Sequence, residues 1–191
     1  MSGKQNTMLP ILPAELQVPL HHPLSGKTYT LVCADALRQT PEEVADLIAA
    51  CNEPLIYEWL FRERQAGQPY DRARAAGFYS WSSGGWQDGT HFVFALLSPC
   101  GRLVGMLDIK STDLDAAEVG YWLRGAHGGL MSTALEALAA VAQRAGYRAL
   151  YARVLPGNRR SLAVLERVGW LPGVPDADGS HLRYERRLAS A

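Results

Sequence analysis

A chain of 191 residues, 48% hydrophobic and 20% charged, is long enough to bury one sizeable core and has the composition of an ordinary globular protein. Its 19 basic and 19 acidic residues cancel, so no overall charge favours nucleic acid or an anionic membrane. The three cysteines, Cys33, Cys51 and Cys100, are scattered and lack CxxC spacing, which argues against a disulfide scaffold or a zinc site and favours a reducing cytoplasm.

The first 25 residues contain four prolines and no long apolar run. Such a segment is predicted to be neither a signal peptide nor a membrane span. We interpret residues 1–25 as an N-terminal arm, in which His21 and His22 are solvated polar residues rather than metal ligands, and residues 26–191 as a single domain.

From residue 27 onward, strand-like and helix-like patterns alternate along the chain. Strands are predicted where β-branched, aromatic and apolar residues alternate with others, at residues 27–33, 91–97, 103–110, 118–123, 148–155 and 181–188. Helices are predicted where apolar residues recur every three or four positions, at residues 41–53, 70–81, 129–146 and 161–168.

Two helix boundaries have specific signals. At the first helix, Thr40 can cap the start, Pro41 fits the first helical position, and Glu43 completes a capping box. The second helix is predicted to end where Ser82-Ser83-Gly84-Gly85 gives the signal of a loop. The many aromatic residues around these two segments are interpreted mainly as packing, with one or two reaching a cleft.

The order of the elements predicts the topology of the sheet. Residues 98–102 include the proline and glycine that are typical of a hairpin turn, so the strands on either side are predicted to pair antiparallel. The strand at 118–123, the helix at 129–146 and the strand at 148–155 form a βαβ crossover, which makes these two strands parallel neighbours. The predicted fold class is α+β, with a mixed, mostly antiparallel central sheet flanked by helices on both faces.

The predicted strand at 118–123 is joined to the predicted helix at 129–146 by a glycine-rich turn, Arg124-Gly125-Ala126-His127-Gly128-Gly129. This segment is called the glycine turn below. Unpaired N–H groups at the positive end of a helix dipole suit a phosphate, and glycines let the backbone approach an anion closely. A tight strand-to-helix turn without any ligand fits the same residues, so both interpretations stay open at this point.

Three motifs occur in order along the chain: Gly120-Tyr121-Trp122-Leu123 on the strand, Gly129-Leu130-Met131-Ser132 at the helix start, and Asn158, Ser161 and Gly169-Trp170 near the end. Together with the order of the elements, they resemble the GNAT superfamily of acetyl-CoA-dependent N-acetyltransferases. Within it, the chain is most similar to the branch that acetylates the N-termini of ribosomal proteins. The resemblance extends from residue 27 to residue 188.

This resemblance implies a site for acetyl-CoA as co-substrate. The central strand would splay from its parallel neighbour and admit the pantetheine arm, whose amides pair with the strand backbone. The diphosphate would lie on N–H groups of the glycine turn and the helix start, and Asn158 would contact the cofactor arm. The cofactor-binding residues so implied are Val119, Tyr121, Leu123, Arg124, His127, Gly128, Gly129, Leu130, Met131, Ser132 and Asn158.

The resemblance also implies direct attack of a neutral amine on the thioester, with backbone N–H groups near the strand stabilising the oxyanion. Ser161 would protonate the departing thiolate, and Glu118 would take the amine proton directly or through water. Each residue has a plain alternative: a salt-bridged strand-end carboxylate for Glu118, an ordinary first-turn serine for Ser161, and a helix N-cap for Asn158. Further candidates for the base are Asp108, Tyr184 and Glu185.

The glycine turn departs from the family's pattern, which reads Gln or Arg, two residues, Gly, one residue, Gly. His127 takes the first of those glycine positions if Arg124 starts the motif; alternatively, the turn has lost two residues between Trp122 and Gly129. In either case fewer amides reach the diphosphate, and His127 can replace them in part as a hydrogen-bond donor. Weak acetyl-CoA binding, a different acyl-CoA and a catalytically silent relative therefore stay open.

The sequence thus predicts a cytoplasmic N-acetyltransferase that moves an acetyl group from acetyl-CoA to a primary amine, with a protein N-terminal amine favoured. The alternative acceptor is a small amine such as a polyamine or an aminoglycoside, and the alternative class is a non-catalytic binding module with the same fold. No nucleic acid, membrane or metal is expected as a partner, and the resemblance allows for a homodimer.

Overall fold

An eight-stranded sheet organises the part of the chain that the structure, a computed structural model, describes, namely residues 9–13 and 15–189. Its strands are β1 (Gln17–His21), β2 (Thr28–Cys33), β3 (Phe92–Leu97), β4 (Leu103–Ile109), β5 (Ala117–Leu123), β6 (Ala149–Val154), β7 (Leu171–Pro172) and β8 (Leu182–Arg187). They lie in the order β1-β2-β3-β4-β5-β6-β8-β7. Each neighbouring pair is antiparallel except β5 and β6, which are parallel.

Helices cover both faces of this sheet. They are α1 (Pro41–Cys51), α2 (Pro54–Ile56, continued by a π-helical turn at Tyr57–Phe61), α3 (Arg72–Asp88), α4 (Leu130–Arg144) and α5 (Arg159–Arg167). Phe94 of β3 packs in the core beneath α4 and α5, while Ala95 packs in the core beneath α1 and α3. Because successive strand residues point to opposite faces, the two cores lie on opposite sides of the sheet. The predicted fold class, the hairpin and the βαβ crossover are confirmed.

The start of α1 forms the predicted capping box. Thr40 Oγ1 accepts a hydrogen bond from the Glu43 amide at 3.2 Å, and the Glu43 carboxylate accepts one from the Thr40 amide at 2.9 Å. Pro41 occupies the first helical position, where no intrahelical donor is needed. These contacts involve only four consecutive residues, which is why the sequence could predict them.

The predicted loop at Ser82-Ser83-Gly84-Gly85 is wrong, because α3 runs through it. The helix ends only at Gly89, whose φ of +63° is the left-handed conformation that glycine adopts readily. Gly85 is buried, and a Cβ at this position would lie 2.3 Å from the His91 ring. This glycine therefore permits close packing of α3 against the segment before β3 and does not form a turn.

Part of the predicted N-terminal arm, residues 1–25, is a strand. β1 pairs with β2, a pairing that the sequence did not predict. His22 is buried, and its Nδ1 accepts hydrogen bonds from the amides of Leu24 and Ser25, so its interpretation as a solvated residue is wrong. Residues 1–8 and 14 lie outside the described residues, and the division of arm from domain stays a prediction. In the described ranges, no helix is long and apolar enough to cross a membrane.

The parallel strands β5 and β6 separate soon after they begin to pair. Their register joins only Ala117 to Leu150 and Glu118 to Tyr151. From Val119 onward, β5 remains paired with β4 on one edge, and no strand among the described residues pairs with it on the edge that faces β6. The sheet is therefore open along the second half of β5, which leads directly into the glycine turn.

Candidate active site

Two cavities lie beside the unpaired part of β5. The first, called the glycine-turn cavity, has a volume of about 340 Å³ and is lined by the end of β5, the glycine turn, α2, α4 and α5. The second, called the Glu118 cavity, has a volume of about 320 Å³ and is lined by β5, β6 and the π-helical turn. The same five residues border both: Trp59, Leu60, Tyr121, Asn158 and Ser161. Two ligands can therefore meet at these residues.

The glycine-turn cavity combines apolar walls with positive charge. Leu55 of α2 and Val164 of α5 are among the apolar residues that line it. Arg124, Arg160 and Arg167 contribute three guanidinium groups. An apolar cavity with several cationic donors fits a long ligand that has an apolar arm and an anionic end.

The glycine turn offers free backbone donors to this cavity. Gly129 has a φ of +102°, a conformation that favours glycine, and α4 starts at the next residue. In residues 15–189, neither the Gly128 amide nor the Gly129 amide donates to an acceptor. Because these amides lie at the N-terminal end of a 15-residue helix, they are placed to bind an anion.

One carboxylate already uses the start of the turn. Glu53, directly before α2, accepts a hydrogen bond from Arg124 Nε at 2.7 Å and from the Gly125 amide at 2.9 Å. The beginning of the turn therefore holds an anionic group of the protein itself, and this contact ties α2 to the turn. Sequence reasoning missed Glu53, because no local pattern links residues that are 72 positions apart.

Most of the predicted cofactor-binding residues line the glycine-turn cavity. They are Tyr121, Leu123, Arg124, Gly128, Gly129, Met131 and Asn158. Val119 borders the Glu118 cavity instead. Leu130, the first residue of α4, is buried in the core. Ser132 lies next to Arg167, whose Nη1 donates to its hydroxyl at 3.4 Å. The roles of all these residues toward a cofactor stay predictions.

His127 borders a different cleft, which it shares with Lys27 and Arg102. Its Nδ1 lies 2.8 Å from the hydroxyl of Tyr29. Burial, and then the nearby charge of Arg124, lower the pKa of His127, so the imidazole is neutral at neutral pH. A neutral imidazole retains one N–H donor, but the side chain is not part of the glycine-turn cavity.

Ser161 and Tyr121 are hydrogen-bonded where the two cavities meet, with 2.6 Å between the serine Oγ and the phenol oxygen. Asn158 caps α5, because its Oδ1 accepts a hydrogen bond from the Ser161 amide at 3.2 Å. Burial raises the pKa of Tyr121 to about 12, so the phenol keeps its proton at neutral pH. The N-cap alternative for Asn158 therefore describes the structure, and it leaves the side chain at the border of both cavities.

Glu118 combines the two interpretations that the sequence left open. Its carboxylate forms an ion pair with Lys110, the residue directly after β4, and its side chain is 19% exposed. It also lines the second cavity, a short distance along β5 from Tyr121. A carboxylate in this position can accept a proton from a bound amine, although Lys110 competes for the same oxygen.

Asp108 is a second carboxylate close to β5. Its Oδ1 accepts a hydrogen bond from the Gly120 amide at 2.7 Å, and burial raises the pKa of its carboxyl group. A Cβ at Gly120 would lie 2.8 Å from the same oxygen, so the glycine makes room for it. Of the other base candidates, Tyr184 donates to Glu166 and Glu185 is paired with Arg183, and neither lines the two cavities.

Besides Glu53, sequence reasoning did not identify two arginines and one tryptophan that form the site. Arg160 and Arg167 line the glycine-turn cavity, and their spacing of seven places them on one face of α5, which is the signal that could have revealed them. Trp59 borders both cavities and lies close to Gly157, where an added Cβ would lie 3.0 Å from its ring. The sequence predicts that one or two aromatic residues of this region reach a cleft, but nothing in it singles out Trp59.

The opened sheet, the helix terminus with free amides and the two joined cavities define the site of a transferase in which donor and acceptor meet at one point. The family model of the acetyltransferase (GNAT) domain matches residues 36–170. The chain belongs to this family: it is an acyl-CoA-dependent acetyltransferase, and acetyl-CoA is its co-substrate. The resemblance of the three sequence motifs is thereby confirmed.

Solved structures share the fold at low identity. RimL, a ribosomal α-N-protein acetyltransferase in complex with coenzyme A, has a TM-score of 0.70 and 18% identity over 89% of this chain and 99% of that one. Mycobacterium smegmatis RimJ has a TM-score of 0.63 and 20% identity over 90% and 86%. The microcin C7 self-immunity acetyltransferase MccE, in complex with acetyl-CoA and AMP, has a TM-score of 0.66 and 15% identity over 83% and 92%. No curated protein matches this chain in sequence.

Proposed function

We propose that this enzyme transfers the acetyl group of acetyl-CoA to the N-terminal amine of a protein. The observation that carries the proposal is that the glycine-turn cavity and the Glu118 cavity meet at Ser161. The first cavity has the arginines and free amides that suit a diphosphate, and the second has a carboxylate that suits an amine. A thioester that extends through the first cavity would present its carbonyl carbon where the two join.

The donor would lie along the open edge of β5. Its diphosphate would accept hydrogen bonds from the Gly128 and Gly129 amides at the start of α4, with Arg160 and Arg167 adding charge. Its pantetheine amides would pair with the backbone of β5 beyond Val119, where no strand of residues 15–189 competes for them. RimL and MccE, which share the fold, are known with coenzyme A and acetyl-CoA, and this supports the same placement here.

The charges around the Glu118 cavity favour a peptide over a polyamine. Three acidic and three basic side chains border it: Glu58, Glu63, Glu118, Arg64, Lys110 and Arg153. A polyamine carries several positive charges and would need an acidic excess, whereas a protein N-terminus presents one amine followed by a neutral backbone. The likeness of the fold to RimL and RimJ supports this acceptor, which would place the enzyme in the cytoplasm.

The proposed chemistry uses Glu118 as the base and Ser161 as the acid. Glu118 takes a proton from the acceptor, because only a neutral amine attacks a thioester. The amine nitrogen then bonds to the carbonyl carbon, and the tetrahedral intermediate collapses by breaking the carbon–sulfur bond. Ser161 donates its hydroxyl hydrogen to the sulfur that leaves, while the nitrogen releases its extra proton to water and the serine oxygen regains a proton from water, so that amine and thioester give amide and thiol.

Calorimetric titration followed by an acceptor screen tests this function. Purified protein would be titrated with acetyl-CoA, coenzyme A and succinyl-CoA, and then supplied with peptides that carry free N-termini, N-blocked peptides that contain lysine, spermidine and an aminoglycoside. We expect micromolar binding of acetyl-CoA and turnover of the free N-terminal peptides. Turnover of spermidine alone would show that the acceptor is a polyamine and not a protein N-terminus. Absence of binding to any of the three CoA compounds would overturn the proposal. Light scattering of the same sample tests the homodimer that the resemblance allows.

A further inference from the structure

We propose that Tyr121 is a positioning residue that acts through Ser161: its phenol donates a hydrogen bond to the Ser161 hydroxyl and so leaves the serine hydrogen free for the departing thiolate. The inference rests on the acetyltransferase reaction and on the placement of Ser161 given above. It does not depend on which amine is the acceptor.

The geometry joins these two side chains at the place where the thioester would react. The phenol oxygen lies 2.6 Å from Ser161 Oγ and 3.3 Å from the Ser161 carbonyl oxygen. In residues 15–189 the Tyr121 hydroxyl has no partner besides these two atoms. Both residues also border both cavities. Within the described residues, the phenol therefore hydrogen-bonds to Ser161 alone. Ser161 borders the space in which the carbon–sulfur bond would break.

The direction of this hydrogen bond follows from the acidity of the two hydroxyls. A phenol is a stronger acid than an aliphatic alcohol and is therefore the better donor of the pair. Burial raises the pKa of Tyr121, so the donor stays protonated throughout the pH range in which the enzyme can be assayed. The contact to Oγ is the shorter of the two, and the carbonyl in α5 already faces the amide four residues further on.

Serine alone is poorly suited to protonate a thiolate, because its hydroxyl is a much weaker acid than the thiol that forms, whose pKa is about 8.5 for a simple thiol. A donor behind the serine changes this, since hydrogen bonds in a chain strengthen one another. As the carbon–sulfur bond breaks, its electron pair goes to sulfur and the Ser161 hydrogen moves to sulfur. In the same step the Tyr121 hydrogen moves to Oγ and the proton that the amine released reaches the phenol oxygen through water, so neither an alkoxide nor a phenolate is left behind. Thioester and amine thus give amide and thiol, with no oxidant or reductant.

A double-mutant cycle separates this role from simple packing. The enzyme, Tyr121→Phe, Ser161→Ala and the double variant would be compared for cleavage of acetyl-CoA at high enzyme concentration, with hydroxylamine or water as the nucleophile and chromatographic detection of free coenzyme A. This readout needs no native acceptor. Tyr147→Phe is the control, because it removes a buried phenol that donates to the Ser111 carbonyl away from the site.

We expect Tyr121→Phe to lower the cleavage rate by about 100-fold, the lower end of the range for a positioned acid, with acetyl-CoA affinity unchanged because the β5 backbone is retained. We expect no further loss when it is added to Ser161→Ala, and the solvent deuterium isotope effect should change in both single variants alike. Full activity of Tyr121→Phe, or an equal loss in both backgrounds, would overturn the inference. Cleavage with hydroxylamine but not with any peptide would reject the N-terminal acceptor and leave the result for Tyr121 intact.

Discussion

The carboxylate of Glu53 accepts a hydrogen bond from the Gly125 amide, 72 residues further along the chain. The same carboxylate binds Arg124 Nε, so the first two residues of the glycine turn hold a negative charge that belongs to the protein. A ligand diphosphate on the neighbouring amides of Gly128 and Gly129 would lie close to that charge. Glu53 is therefore expected to oppose donor binding while it fixes α2 on the turn.

Glu53→Gln should tighten acetyl-CoA binding by about two- to fivefold, the range expected for one partly exposed charge. The amide keeps the shape of the side chain and removes the repulsion of the diphosphate. Calorimetry at low and high salt measures this, and the gain should shrink at high salt because screening weakens the repulsion. Glu63→Gln, at the Glu118 cavity, is the control. Weaker binding of the Glu53 variant would show instead that this carboxylate holds the turn in its binding shape.

Arg160→Ala should weaken acetyl-CoA binding by about tenfold, which corresponds to the loss of one charge-assisted hydrogen bond to a phosphate. Arg160 lines the glycine-turn cavity and has no acidic partner among the described residues, so its guanidinium is free for a ligand. The control is Arg144→Ala at the far end of α4. If the two variants bound acetyl-CoA equally well, Arg160 would not be a donor-binding residue.

Asn158 has a structural role and a proposed binding role, and two substitutions separate them. Asn158→Ala loses the cap of α5 and should cost about 1 kcal/mol of unfolding free energy as well as acetyl-CoA affinity. Asn158→Ser keeps a capping oxygen and should retain the stability but not the affinity. Urea unfolding and calorimetry report the two effects. If the serine variant bound acetyl-CoA as tightly as the unchanged protein, Asn158 would be a cap only.

Glu118→Gln should reduce acetyl transfer to a peptide by about 100-fold at neutral pH, in the range expected for loss of a general base. The difference in rate between Glu118→Gln and the unchanged protein should become smaller at high pH, where the free amine is already neutral. Lys110→Met is the matched control, because it breaks the ion pair with Glu118 and keeps the carboxylate. We expect that variant to retain activity, and pH profiles of both would be recorded. A pH-independent loss in Glu118→Gln would assign Glu118 a structural role only.

Asp108 should make the protein less stable as the pH rises. Burial raises the pKa of this carboxyl above its ordinary value of 3.8, so the folded protein keeps a proton that the unfolded chain has already lost. Between those two pKa values the unfolded state binds fewer protons, and this group's contribution to the unfolding free energy therefore falls with pH. Asp108→Asn removes that contribution and keeps an oxygen that can accept from the Gly120 amide.

The measurement for Asp108 is urea unfolding of both proteins at several pH values from 4 to 8. Subtracting one curve from the other cancels the groups that do not interact with Asp108, including Asp71 and Asp176, whose lowered pKa values act in the opposite direction. We expect the asparagine variant to gain stability relative to the unchanged protein as pH increases. A constant difference across this range would contradict the raised pKa.

Local sequence predicted the features that depend on few neighbouring residues. The capping box at Thr40 and Glu43 and the N-cap at Asn158 are contacts between residues three positions apart, and propensity with periodicity is enough to find them. Ser82 to Gly85 misled the same reasoning, since Gly85 is needed for contact with His91 and not for a turn. The burial of that helix outweighs the low helix propensity of its glycines and serines.

The sequence by itself determined the family, the mixed sheet with its βαβ crossover, and the strand–turn–helix that carries the glycine turn. The family resemblance is carried by the three motifs, whereas the sheet, the crossover and the strand–turn–helix follow from the order and period of apolar residues. Only the tertiary structure decided that Tyr121 bonds to Ser161 across 40 residues, that Glu53 occupies the start of the turn, and that His127 lies outside the donor cavity. Such contacts depend on how separate elements pack, and no spacing along the chain encodes them.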